Sequence, residues 1–150
     1  MKKSTAILLG ATMALSGISA CRASAPASTM TPVPTRYGVF SEALVPFGTS
    51  APAESAALRR AISRYRAGGN AAQTRPLDRF LKRHPDSVWR IALLTNEGLA
   101  YAHAGKFSLA LNRLEAAWDA GRSARGQRQR ALVDKALAQL LRLHAAFGHA

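Results

Sequence analysis

Residues 91–121 read IALLTNEGLAYAHAGKFSLALNRLEAAWDAG. Large side chains recur at Ile91, Leu94 and Tyr101, then at Phe107, Leu111, Leu114 and Trp118. These intervals of three, four and seven residues follow one face of an α-helix. Gly105 parts the two runs and Gly121 closes the second. The stretch therefore predicts two helices, one ending near Ala104 and one from about Phe107 to Ala120. Gly98 and Ala110 are small where such helices approach closely, with Tyr101 and Leu114 filling the space beside them.

The same period extends both ways. Upstream, Leu58, Ala61, Ile62 and Tyr65 share one face of a helix that begins near Pro52 and stops at Gly68-Gly69. Thr74 and Pro76 suit the start of a second helix carrying Leu77, Phe80 and Leu81. His84-Pro85 ends it, because a residue before proline avoids the helical region. Asp86-Ser87 then reads as the cap of the helix holding Val88 and Ile91. Downstream, the polar, basic segment Arg122–Arg130 precedes a fifth helix to about Phe147. Its apolar face holds Leu132, Val133, Ala136, Leu137, Leu140, Leu141 and His144. No window alternates as a strand. The chain predicts an all-α domain over 52–150, with neighbouring helices antiparallel across short turns.

The third and fourth helices resemble a tetratricopeptide repeat (TPR) across 91–124. Ile91, Leu94, Gly98 and Tyr101 match its first-helix positions 1, 4, 8 and 11, and Ala110, Leu114 and Ala117 match positions 20, 24 and 27. Glu97 stands where leucine is usual and Arg122 where proline is usual. The first two helices resemble an upstream repeat, and Phe80-Leu81-Lys82-Arg83-His84-Pro85-Asp86-Ser87 is similar to repeat junctions of bacterial envelope TPR proteins. The fifth helix resembles either a solvating cap or the first helix of a further repeat. The resemblance implies a concave groove lined by Ala92, Thr95, Leu99, Ala102 and His103, with Leu99 exposed to an apolar or helical peptide. The region 54–148 is also similar to the helical part of large exported bacterial proteins that carry a papain-like peptidase domain, which implies a shared scaffold rather than activity.

The start of the chain carries a different signal. Met1-Lys2-Lys3 precedes an apolar run from Ala6 to Ala20, then Cys21, the one cysteine in 150 residues. A basic start, an apolar run and small residues before a cut make a secretory leader over 1–20. The run is too short and too rich in small residues for a membrane span, which takes about 20 apolar residues. Ile18-Ser19-Ala20-Cys21 resembles the lipobox of bacterial lipoproteins, which implies cleavage before Cys21 and its lipidation. Cleavage after Ala20 without lipid, or after Ala25, are the competing readings. Arg22 is not an inner-membrane retention aspartate, so the resemblance implies an outer-membrane anchor facing the periplasm. Residues 21–51 read as a tether. Ala23–Pro34 holds almost no large apolar residue, while Tyr37-Gly38-Val39-Phe40 and Leu44-Val45-Pro46-Phe47 are clusters that either fold back on the helices or dock a partner.

Charge narrows the partners. Lysine and arginine number 21 against 8 acidic residues, a net charge of +13. Such a balance suits anionic lipid, acidic protein or nucleic acid, and export favours the first two over nucleic acid. Arg122, Arg125, Arg128 and Arg130 form a basic patch able to meet anionic lipid. No catalytic constellation emerges: Cys21 is committed to the leader signal, and His84, His103, His144 and His149 are scattered without metal-ligand spacing. No phosphate-cradling glycine loop is present. The sequence thus predicts a non-enzymatic interaction scaffold of the bacterial envelope, without metal or cofactor, that binds another envelope protein or peptide. The alternatives are an accessory relative of an exported peptidase-containing protein and a basic nucleic-acid binder.

Overall fold

A computed structural model describes residues 38–70 and 72–147. The leader over 1–20, Cys21 and the tether as far as residue 37 lie outside the described residues. Five helices and no strand occur within them: α1 (Pro52–Ala67), α2 (Arg75–Arg83), α3 (Arg90–His103), α4 (Phe107–Gly121) and α5 (Gln127–Phe147). α1 packs on α2, α3 on α4, and α5 against both α3 and α4.

Local chemistry sets most of the boundaries. Pro52 opens α1 without losing an intrahelical bond, since the first N–H groups of a helix have no partner within it. His84 leaves α2 at φ −130°, ψ 70°, outside the helical region that the following proline disfavours. Thr74 does precede α2, yet its hydroxyl caps no backbone N–H; it bonds the Asp78 carboxylate at 2.9 Å and Tyr101 OH at 2.5 Å. α3 starts three residues beyond Ser87. The Ser87 hydroxyl accepts the Trp89 N–H and donates to Glu54, which holds Val88 and Trp89 in a turn.

The core matches the periodic positions in most helices. Leu58, Ile62 and Tyr65 of α1, Leu77, Phe80 and Leu81 of α2, and Ala110, Leu114 and Ala117 of α4 are buried together. Gly98 is required by a close approach: a Cβ there would stand 2.6 Å from Leu114 Cγ. Gly121, expected as a helix stop, is instead the last residue of α4, where a Cβ would meet Val133 of α5 at 2.5 Å. Three residues expected inside are outside. Phe107 and Leu141 are 36% and 58% exposed, and His144 is exposed beside Glu115. Leu143 takes the buried position on α5.

The flexible tether over 21–51 is corrected for residues 39–50, and of the two readings of the apolar clusters there the fold-back onto the helices is the one found. Residues 39–50, placed within a flexible 21–51, are packed on the helices. Leu44 is fully buried, with Val39, Phe40, Val45 and Phe47 partly buried around it. Phe40 stacks on Tyr65 of α1 at 5.5 Å. The Glu42 backbone N–H donates to Asn96 Oδ1 and its carbonyl accepts from Asn96 Nδ2. Pro46 O accepts from Gln129 of α5, and the Phe47 N–H donates to Val88 O. Trp89 Nε1 donates to Ser50 Oγ. The segment is a strap across α1, α3 and α5 whose backbone groups find partners that a solvated tether would not need.

Candidate functional site

The face expected to form a groove is closed. Ala92 and Thr95 are fully buried and Leu99 is 3% exposed. Thr95 turns its hydroxyl back to Ile91 O at 2.9 Å. An exposed Leu99 available to a peptide is therefore contradicted: the face of α3 that carries Ala92 and Asn96 is closed over by the strap. Ala102 is half-buried and His103 exposed, and both line a separate cavity against α5.

The basic segment is also shorter as a loop than expected. Arg122 follows α4 and Arg125 lies in the turn, but Arg128 and Arg130 stand on the first turn of α5. All four are exposed and none has a carboxylate within 4 Å among the described residues.

A second basic feature lies where no single helix could reveal it. Arg60 and Arg64, one turn apart on α1, face Arg79 and Arg83, likewise spaced on α2. With Phe80 and His84 these arginines line a cavity of about 220 Å3. It continues into one of about 550 Å3 that shares Arg64, Pro76 and Arg79 and adds Arg75, Lys106, Asp78 and Tyr101. The four arginines have no carboxylate partner among the described residues. Guanidinium groups in such a row can hold carboxylates or phosphates in bidentate fashion. The helical period that buries Leu58, Ile62 and Tyr65 leaves Arg59, Arg60, Arg64 and Arg66 on the outer faces of α1; the opposing pair on α2 appears only once the turn brings α2 back alongside.

Beside the larger cavity runs a polar chain, half-buried at Asp78 and Arg113 and buried at Glu97. Asp78 pairs with Arg113 and accepts from Thr74. Arg113 Nε also lies 3.0 Å from Glu97, whose side chain has no exposed surface. The Arg113 N–H is not aligned on that carboxylate, and neither Glu97 oxygen has a hydrogen-bond partner. Burial pushes Glu97 up to about 8, the Asp78 charge adds to the rise, and Arg113 and Arg90 oppose it. Desolvation outweighs the nearby Arg113, which already serves Asp78. Burial, with Glu97 and Tyr101 nearby, raises the Tyr65 phenol as well.

Among the described residues no three His, Cys, Asp or Glu side chains converge as a metal set, and no helix is long and apolar enough to cross a membrane. No family model matches the chain, and no curated protein or solved structure matches it.

Proposed function

We propose that this chain is a non-enzymatic scaffold of the bacterial cell envelope, anchored by lipid at Cys21, with a TPR-like helical domain that holds another envelope protein. The observation that carries the reading is the α1–α2 arginine row. Four guanidinium groups stand along one groove with no carboxylate among the described residues to neutralise them. A scaffold that grips an acidic segment of its partner needs that arrangement on a rigid frame. The TPR-like part of the reading draws support from Gly98 against Leu114 and from α5 packing on both α3 and α4. The anchor reading draws on Ile18-Ser19-Ala20-Cys21 and the basic, apolar leader before it.

The test is titration of an oligoglutamate peptide into the full chain at low ionic strength. Reversing Arg60 and Arg83 to glutamate takes two exposed cations out of the groove. The affinity then falls about tenfold or more, at up to roughly 1 kcal/mol for each broken ion pair. Added salt weakens the native interaction as well. Equal binding by the double variant would overturn the groove as the docking site.

A further inference from the structure

One end of the domain has a two-sided chemistry. The α1–α2 turn, the α3–α4 turn and the C-terminal end of α5 meet there. The larger arginine cavity sets Arg64 and Gly68 beside Tyr101, Lys106 and Leu109. A neighbouring cavity of about 600 Å3 sets His103 and Phe107 beside Arg142 and Phe147. Phe107, Leu109 and Phe147 are 36, 46 and 60% exposed, and the two phenyl rings stack on each other at 4.2 Å. Cations border them, and among the described residues the one carboxylate lining either cavity, Asp78, is held by Arg113.

Exposed rings and a leucine ringed by unmatched cations suit one kind of surface. At a bilayer interface the apolar groups enter below the headgroups while lysine and arginine meet phosphates. An acidic protein face would satisfy the cations and leave the rings without a match.

The strap fixes which end the chain enters. Phe40 stacks on Tyr65 in the last turns of α1, so the described chain begins at this same end. Sixteen residues, 22–37, lie between it and Cys21. They span at most about 55 Å, whatever their conformation. The patch of Arg122, Arg125, Arg128 and Arg130 lies where α4 ends and α5 begins, and no exposed large apolar side chain accompanies it.

We infer that this turn edge is a membrane-contact face for anionic phospholipid of the bilayer that holds Cys21. The inference takes its orientation from the lipid-anchor reading, and its surface chemistry from the described residues alone.

The experiment follows amide hydrogen exchange in the full chain, recovered from membranes and reconstituted into vesicles. One vesicle is phosphatidylcholine alone and the other contains phosphatidylglycerol. Exchange in 103–110 and 141–147 slows on the phosphatidylglycerol vesicles, while 84–90 does not change. Lys106→Gln lowers that added protection roughly fivefold, the worth of one basic side chain at an anionic surface. Leu109→Ser, at an exposed position, lowers the protection on the phosphatidylglycerol vesicles as well. Equal exchange on the two vesicles overturns the inference, as does protection that persists in detergent. Intact mass on the same sample separates the two readings. An acylated chain without lipid-dependent protection overturns the contact face and leaves the anchor. An unacylated chain with it overturns the anchor and supports the face.

Discussion

Glu97→Gln is the substitution whose effect follows most directly from the structure. Glu97 is buried beside the arginine cavity, where its carboxyl rises from an ordinary 4.5 to about 8. The folded state therefore holds this proton more tightly than the unfolded chain does. The stability that the bound proton contributes is complete below pH 4.5, declines as pH rises, and is gone above about pH 8. At about 1.4 kcal/mol per pH unit, the change across that window is on the order of 5 kcal/mol at most. Glutamine keeps the shape and cannot ionise, and Arg113 keeps Asp78 as its partner. The difference in unfolding free energy between variant and native chain is then within about 1 kcal/mol at pH 5, where the two side chains are near-isosteric. At pH 9 it favours the variant by several kcal/mol. Urea titrations followed by far-ultraviolet circular dichroism at pH 5, 7 and 9 measure it, and the subtraction removes every other titrating group. A variant that becomes relatively less stable above pH 7 would refute the reasoning, because it would mean that Glu97 is ionised and held by Arg113.

Two further substitutions test the packing. Leu44→Ala, in the fully buried centre of the strap, costs about 2–5 kcal/mol in the same urea titration; an unchanged midpoint would return residues 39–50 to the tether. Gly98→Ala drives a methyl group to 2.6 Å from Leu114 Cγ, and a loss of about 1–3 kcal/mol is expected from overpacking. Gly98→Ala combined with Leu114→Ala recovers part of it by opening space, whereas additive losses would show that the two positions do not touch.

Helical periodicity alone made much of this fold legible. α1, α2 and α4 lie where their apolar spacing and flanking Gly and Pro residues put them, because those signals act within one turn of the chain. What was not legible depends on contacts between distant residues. Leu44 and Phe47 sit in a segment with no repeating period, and its path is fixed by the distant Tyr65, Asn96, Gln129, Val88 and Trp89. Glu97 looks like a polar interruption of an apolar face, and nothing local says that Arg113, sixteen residues on, reaches back to it. The arginine row has the same origin: each pair is an ordinary exposed repeat on its own helix, and the groove exists only because the 68–74 turn brings them together. Phe107 fits the helical period and still points outward, because its ring stacks on Phe147 at the far end of α5. The groove inferred from the repeat resemblance failed for a related reason. The α3 face holding Ala92 is closed by the chain's own strap, and Leu99 is buried.

The central claim is that this helical domain works while tied to an envelope membrane through Cys21. The measurement that tests it most directly is the intact mass and N-terminal residue of the protein recovered from bacterial membranes. A chain that begins at Cys21 and carries the added mass of acyl groups is the predicted result. A chain that begins at unmodified Met1 and stays in the soluble fraction would contradict it.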